Sequence, residues 1–146
     1  MKPDVFVASL DDERIVAAIR EAEARSRGEI RVHVAEREVA DPRAEAAAVF
    51  DRLGMAATAE RNGVLVFVAP ESRSITVIGD KGVHELCGEV FWTAVVAAIR
   101  EEFRAGRHTE GIVAGVRAVG EELARHFPRR PGEADTNELP DGVSRG

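Results

Sequence analysis

Oxygen-bearing side chains occur in three glycine-containing stretches of the sequence, and together they could form one binding site. Carboxylate and amide oxygens suit calcium or magnesium better than zinc, and a glycine lets a backbone carbonyl approach the same ion. The candidate ligands are Asp80, Glu29, Asn62 and Glu60. Their residue types therefore favour a site for a divalent cation.

Basic residues and glycines in the same stretches suit a phosphate group. Gly82 is expected to begin a helix, whose free N–H groups attract anions, and a metal at Asp80 would neutralise the carboxylate. Lys81 and Arg27 would balance further charge, and Gly79 precedes the aspartate. Without an ion, close carboxylates would repel one another, and one could take part in proton transfer.

An ordinary structural role is the alternative for these residues. The sequence Gly-Asp-Lys-Gly is typical of a turn, in which Asp80 would only cap a helix. Glu29 would then be a solvated strand end. Both interpretations of Asp80, ligand and helix cap, stay open at this point.

Hydrophobic periodicity predicts the elements that position these stretches. Apolar residues at helical spacing predict a helix over residues 10–26, with Ser9 as its N-cap. The segment "EIRVHVAE" alternates apolar and polar residues, as in a strand with one buried face. A helix over residues 43–55 follows, and then come two strands, "VLVFVA" and "ITVIG".

The connections between these strands predict how they pair. The turn "PESRS" is too short for a crossover, so the second and third strands should form an antiparallel hairpin, whereas the helix between the first two strands suits a parallel unit. The end of the third strand then lies beside the beginnings of the other two. We therefore expect residues 79–82 to approach residues 26–29 and 60–63 at one edge of a mixed sheet.

Two further helices and a tail complete the predicted organisation. Apolar residues recur at steps of four up to Phe103, with a break at Cys87-Gly88, and Thr109 is placed to cap a last helix. The prediction is a single α/β domain over residues 1–127. Residues 128–146 are rich in Pro, Gly and charge without periodicity, which predicts a disordered tail.

Composition argues against several classes of function. A formal net charge of -6 and a pI near 5.3 disfavour nucleic acid as a partner. Cys87 is the single cysteine and cannot form an internal disulfide, and the N-terminus lacks the apolar core of a signal peptide, so we expect a cytoplasmic protein. No apolar run reaches the roughly 18 residues of a membrane span, so no membrane insertion is expected.

The histidines and the cysteine suggest structural roles. His84 and Cys87 are three apart on a helix, but two ligands do not make a zinc site, so packing is expected there. His33 belongs to a strand and is expected to be a satisfied structural residue. His126 lies near the end of the last helix, where a cationic imidazole is favourable. No Ser, His and Asp set with the spacing of a hydrolase triad is present.

The order of three motifs resembles the TPM domain family. The motifs are "SRGEIRVHV", "NGVLVFVAPESRSITVIGDKGV" and "FRAGRHTEGIVAGVRAVGEEL", within residues 6–127. The resemblance implies an α/β sandwich in which helices cover both faces of a small sheet. It also implies a divalent-metal site, calcium in some members and here more expected than magnesium, and a weak acid phosphatase activity known from plant members.

Taken residue by residue, the resemblance supports Asp80 with its neighbours Gly79 and Gly82, then Glu29, and also Asn62. Glu60 depends on the expected geometry alone. Many members carry an export signal and a C-terminal membrane helix or glycine-rich tail, and this sequence shows neither. A lumenal or periplasmic role is therefore not expected.

Two functions follow from the residues and the resemblance. The first is a metal-binding domain that hydrolyses a phosphate-containing small molecule, with water as the attacking group because no nucleophile is identified. The alternative is a non-catalytic domain in which calcium orders the three turns and a neighbouring surface binds a partner protein. A third possibility is that the turns serve only folding.

Overall fold

A four-stranded mixed sheet lies at the centre of the computed structural model, which describes residues 2–129 and 142–146. Its strands are β1 Glu29–Val34, β2 Gly63–Ala69, β3 Ser74–Gly79 and β4 Ser144–Arg145. The order across the sheet is β3-β2-β1-β4. β1 is parallel to β2 and to β4, and β2 forms an antiparallel hairpin with β3. The predicted α/β class, parallel pair and hairpin are confirmed.

Helices cover both faces of this sheet. They are α1 Pro3–Ala8, α2 Asp12–Ala24, α3 Pro42–Arg52, α4 Lys81–Arg104 and α5 His108–His126, and a 3₁₀ turn spans Met55–Ala57. Val64 and Val66 of β2 belong to the core formed with α2, α4 and α5. Leu65 and Phe67 point the other way and pack with α3 and the 3₁₀ turn. The unbroken apolar run of β2 thus serves two cores, as expected of a strand that is buried on both sides.

β1 differs from the predicted strand with one buried face, because all six of its residues are buried. Its polar positions include Arg31 and His33, which are 9% and 1% exposed, and Ser144 of β4 pairs beside His33. The His33 ring stacks on Phe67 with centroids 5.7 Å apart, and its Nδ1 lies 3.0 Å from Ser144 Oγ. The alternation of residue types in β1 therefore reflects polar side chains that are buried inside the protein, not exposure to water.

The last residues of the chain differ from the predicted disordered tail. β4 pairs with the far edge of β1, where Gly146 N donates to Val34 O and Glu36 N donates to Gly146 O. A strand of this length has no periodicity to detect, and its pairing comes from the open edge that β1 offers. The prediction is therefore wrong for residues 142–146, whereas residues 130–141 lie outside the described part of the chain.

Two helix starts also differ from the predictions, and α1 was not predicted at all. The N-cap of α2 is Asp11, whose Oδ1 accepts from Arg14 N at 3.2 Å, in place of Ser9. α5 begins at His108, and Thr109 Oγ1 instead accepts from Asp11 N at 3.0 Å, which joins the starts of α2 and α5. A local capping pattern does not show that a side chain will accept a hydrogen bond from a distant segment, as Thr109 does from Asp11.

α4 is the longest helix and is broken once. Gly88 has φ 77° and ψ 168°, so the predicted break at Cys87-Gly88 is confirmed. By length and composition alone, α4 is also the one helix of the described chain that could cross a membrane. This is a weak indication, because packed helices of globular domains meet the same criterion, and the absence of membrane insertion stays a prediction.

Candidate functional site

The three glycine-containing turns lie side by side at one end of the sheet. Asp80 N donates to Gly63 O at 2.9 Å, and Gly82 N donates to Arg61 O at 3.0 Å. Asn62 Nδ2 donates to the carbonyl of Arg27 at 3.0 Å. The antiparallel hairpin brings the end of β3 to the beginning of β2, and the parallel pairing places the beginning of β1 on its other side. The structure thus brings the predicted stretches together.

Asp80 is both a helix cap and half of an ion pair. Its side chain accepts from Lys81 N at 2.8 Å, as an N-cap of α4 does. Arg61 donates two hydrogen bonds to the same carboxylate, from Nε to Oδ2 at 2.7 Å and from Nη2 to Oδ1 at 2.9 Å. These hydrogen bonds raise the pKa of the Arg61 guanidinium. Only 7% of Asp80 is exposed, against 41% of the Arg61 side chain, so the pair lies at the protein surface with its acid inside.

Glu60 forms a second pair of the same kind with Arg27. Arg27 Nε donates to Oε2 at 2.9 Å and Nη2 donates to Oε1 at 3.1 Å. Nη1 of the arginine donates to the carbonyl of Pro128. Glu60 is 40% exposed on its side chain. Arg27, which was predicted to balance a phosphate, therefore balances Glu60 in this structure.

Asn62 and Glu29 are the buried members of the predicted ligand set. Asn62 is 1% exposed, and its backbone N–H donates to Thr58 Oγ1 at 3.2 Å. Its side-chain Oδ1 is buried and accepts no hydrogen bond from the residues that the structure describes. Glu29 is also buried, and its N–H donates to Asn62 O at 3.4 Å. A buried oxygen without a donor is costly unless a ligand or water satisfies it.

The glycines of the third turn have a packing reason. A Cβ on Gly82 would lie 2.3 Å from the carbonyl oxygen of Glu60 and 2.6 Å from that of Arg61. A Cβ on Gly79 would lie 2.4 Å from the ring of Trp92. Both positions therefore require glycine for close approach, and a role of either in phosphate binding stays a prediction.

The first N–H groups of α4 are all used within the protein. Lys81 N donates to the side chain of Asp80, and Gly82 N donates to Arg61 O. Val83 N and His84 N donate to the carbonyl of Asp80 at 3.1 and 2.8 Å. An anion at this helix terminus would have to displace these bonds, so the geometry suits a cation at the carboxylates better than a phosphate at the N–H groups.

Nucleophilic side chains near the site have structural partners. Ser26 Oγ accepts from Gly28 N at 3.1 Å, and Thr58 Oγ1 accepts from Asn62 N. Burial raises the pKa of the Cys87 thiol to about 11, so the thiolate form is scarce near neutral pH. His84 Nδ1 faces Trp92 Nε1 at 3.0 Å. Whether any of these side chains acts as a nucleophile stays open.

A groove of about 530 Å³ opens along β3 and α4 next to this end of the sheet. It reaches Gly79, and its polar lining includes Arg43, His84 and Arg100. The predicted cation ligands do not line it. A molecule in this groove would thus lie next to the carboxylates without contacting them.

Sequence reasoning assigned no role to several residues that complete the site. Arg61, within the second stretch, is one, and its φ of 52° is unusual for a residue other than glycine. Buried Glu23 is another, since its Oε2 accepts from Ile30 N at 2.9 Å. Arg129 donates to the carbonyls of Ala24 and Ser26 at 3.0 and 3.2 Å. Arg61 could have been recognised from its sequence context, Glu-Arg-Asn-Gly. Glu23 and Arg129 lie outside the three stretches, and only the fold brings them to the site.

Comparison with known proteins places these motifs in context. The family model of the TPM domain matches residues 4–122. The NMR structure of the BA42 protein from the psychrophilic bacterium Bizionia argentinensis is similar, with 38% sequence identity and a TM-score of 0.85 over 94% of this chain and 96% of that one. None of the curated proteins matches the chain in sequence.

Two more distant structures share the fold. The N-terminal domain of a protein from P. gingivalis has 19% identity and a TM-score of 0.62, over 78% of this chain and 76% of that one. The N-terminal domain of a protein from Corynebacterium glutamicum has 18% identity and a TM-score of 0.61, over 80% and 75% of the two chains. At this level of identity the likeness concerns the fold alone.

Proposed function

Because the chain belongs to the TPM domain family, we propose that it is a divalent-cation-binding domain whose ligands are Asp80, Glu29 and Asn62. The observation that carries this proposal is the buried Asn62 Oδ1, for which the described residues supply no donor. A cation satisfies such an oxygen directly. The neighbouring acids supply the negative charge that a cation requires.

The donor set fits a hard cation in its chemistry. Every candidate atom is a carboxylate or amide oxygen, and the three turns add backbone carbonyls nearby. Calcium takes six to eight oxygens in variable geometry, whereas magnesium demands an octahedron and keeps several waters. A set contributed by three separate turns therefore favours calcium over magnesium. Glu60 would join this set only where Arg27 releases it.

Arg61 is the natural competitor of the cation. Its guanidinium binds both oxygens of Asp80 in the place where a metal would compensate the same charge. The side chain is 41% exposed and can turn towards water without leaving a buried cation behind. Exchange of the arginine for a divalent ion keeps the buried carboxylate compensated throughout.

A titration with calcium and magnesium, followed residue by residue by NMR, tests this proposal. We expect saturable shifts confined to residues 26–29, 60–63 and 79–82, stronger for calcium. Asp80→Asn should abolish them while keeping a good N-cap. Asp41→Asn is the matched control, because Asp41 is also an N-cap aspartate, whose carboxylate accepts from Ala44 N of α3 at 3.2 Å. Shifts that survive Asp80→Asn unchanged would refute the assignment.

Arg61→Gln provides a second arm of the same experiment. If the guanidinium competes with calcium, its removal should tighten binding by up to roughly fivefold, the value of a partly exposed pair. Arg73→Gln is the control, since Arg73 has the same φ of 52° but is not part of the site. Equal or weaker calcium binding by Arg61→Gln would argue against competition.

Hydrolysis of a phosphomonoester is the second candidate function, favoured by the groove beside Gly79 with its arginines and His84. The cation ligands do not line this groove, so a substrate phosphate would have to extend past Gly79 for a bound cation to polarise its oxygens. Lys81 is exposed at the start of α4 and would bind the phosphate of a substrate. Turnover of p-nitrophenyl phosphate that falls with Asp80→Asn supports this function. Calcium binding without turnover favours the non-catalytic accessory domain that binds a partner protein.

A further inference from the structure

Cys87, Glu122 and His126 converge where the first turns of α4 pack against the last turns of α5. The thiol sulfur, a carboxylate oxygen and an imidazole nitrogen all lie within 4.8 Å of one another. His126 Nε2 is 3.4 Å from Glu122 Oε1, one helical turn away. None of the three residues belongs to the cation site proposed above.

The fold makes this cluster from distant parts of the sequence. Glu122 and His126 share a face of α5, and Cys87 comes from α4 immediately before the break at Gly88. The two helices also pack closely beyond that break, where a Cβ on Gly115 would lie 2.6 Å from Ile99. Cys87 itself packs against the main core, and Glu122 and His126 lie on one regular helix, which favours a defined geometry.

The combination of donor atoms selects a particular kind of ion. Thiolate and imidazole suit zinc, whereas calcium and magnesium prefer oxygen alone. Zinc binding would release the proton that the half-buried thiol of Cys87 otherwise holds. Three protein ligands with one open position are also typical of zinc sites that keep a bound water. We propose that Cys87, Glu122 and His126 form a three-ligand site for zinc, separate from the site at Asp80.

The surroundings of this cluster would allow a metal ion to enter and to replace a bound arginine. All three residues are half-buried, so an ion can enter from solvent. Arg125 contacts Glu122 Oε1 at 3.1 Å but is exposed, and it can release the carboxylate to a metal. A metal would then displace Arg125 from Glu122, as a metal would displace Arg61 from Asp80.

Titration of the full chain with Zn²⁺ and with Co²⁺ tests the proposal. We expect one equivalent of Zn²⁺ to bind and to protect Cys87 from iodoacetamide. Co²⁺ should give the near-ultraviolet absorption band of a thiolate ligand. Cys87→Ser should abolish that band and weaken Zn²⁺ binding by more than the roughly 10–100-fold that loss of an outer-shell partner costs.

Matched variants separate this site from nonspecific binding and from misfolding. Glu122→Gln and His126→Gln should weaken Zn²⁺ binding, whereas Glu121→Gln changes an exposed neighbour on α5 and should not. If Cys87→Ser fails to fold, the Glu122 and His126 variants still decide the outcome. Zinc affinity that is unchanged in these variants, or iodoacetamide modification that Zn²⁺ does not slow, would overturn the proposal.

Asp80→Asn distinguishes the two metal sites. It should leave zinc binding and cysteine protection intact even where it abolishes calcium binding. Loss of both ions in that variant, with the fold preserved, would mean that the cysteine cluster is not a separate site.

Discussion

The two ends of β1 are held by different kinds of interaction. At its N-terminal end, Glu29 lies among charged groups, and Arg61 and Arg27 each bind a carboxylate with two nitrogens. At its C-terminal end, β4 adds backbone hydrogen bonds, and His33 lies 3.0 Å from the Ser144 hydroxyl and 3.4 Å from the Gly146 carbonyl. The N-terminal end, around Glu29, is held by paired charges and is called the charged end. The C-terminal end, where the contacts of His33 are with neutral groups, is called the neutral end.

This difference determines what each end can respond to. A carboxylate compensated by an arginine can exchange that arginine for a metal ion, since the charge stays balanced. A buried neutral imidazole responds instead to protons, because burial lowers the pKa of His33 and disfavours its charged form. On the proposed function we therefore expect the N-terminal end of β1 to respond to cations and the C-terminal end to respond to protons.

The largest expected effect at the charged end is that of Asp80→Ala. The change removes the N-cap of α4 and a bidentate bond to Arg61, and we expect a loss of about 2–3 kcal/mol in the free energy of unfolding. Glu60→Ala breaks the similar but more exposed pair with Arg27 and should cost less than about 1 kcal/mol. Urea denaturation of both variants measures the contrast, and equal losses would show that burial of the acid is unimportant.

Gly82→Ala is expected to have the next largest effect. An alanine Cβ would lie 2.3 Å from Glu60 O, so the backbone of the second turn must move. Alanine otherwise favours a helix by about 1 kcal/mol, and we expect a net loss of about 1–2 kcal/mol. Gly142→Ala has open space around its Cβ and is the control for unfolding measurements. An increase in stability would show that the turns can separate freely.

The charged end could be predicted from the sequence because its geometry follows from short connections. A turn as brief as Pro70–Arg73 permits only a hairpin, and a helix between β1 and β2 requires parallel strands. Those two constraints bring Asp80, Asn62 and Glu29 together. The sequence does not predict which basic residue pairs with Asp80. Arg61 and Lys81 are equally plausible partners, and the φ of 52° at Arg61 is what directs its side chain to the carboxylate.

The neutral end and the cysteine cluster could not be predicted in this way. β4 contributes two residues, and no hydrophobic pattern marks so short a strand. Cys87 and His126 lie far apart in the sequence, and helical spacing alone offered only His84 as a partner for the cysteine. Packing of α4 on α5 supplies the missing ligands, so these features depend on tertiary contacts that local patterns do not encode.

The neutral end makes a prediction about pH. The folded pKa of His33 is lowered from 6.5, mainly by burial, so the unfolded chain binds more protons below that pH. Stability should be greatest above about pH 6.5 and should fall as the pH drops towards the folded pKa, by at most about 1.4 kcal/mol per pH unit from this group. Urea denaturation of His33→Gln across this range should show a flatter dependence.

His108 requires its own variant in this experiment, because burial lowers its pKa as well. His33→Gln should remove part of the pH dependence, and the variant that also carries His108→Gln should remove more. A pH dependence identical to that of the unmodified chain in His33→Gln would show that protonation of His33 does not contribute to it.

Deletion of residues 142–146 is expected to have a smaller effect on stability than Asp80→Ala or Gly82→Ala and the clearest effect on the neutral end. It removes the pairing of β4 with β1 and the backbone hydrogen bonds that join Gly146 to Val34 and Glu36, and it uncovers His33, at a cost of about 1 kcal/mol in the free energy of unfolding. The deletion exposes His33, which raises its folded pKa, and removes the Gly146 carbonyl, which had raised it; because burial is the larger cause, the folded pKa should rise and the dependence of stability on pH below about pH 6.5 should weaken. Arg145→Ala breaks only the exposed ion pair with Asp12 and should leave that dependence intact. A deletion that lowers stability without changing its pH dependence would show that α3 and Phe67, not β4, keep His33 neutral, and that the two ends of β1 are less distinct than their contacts indicate.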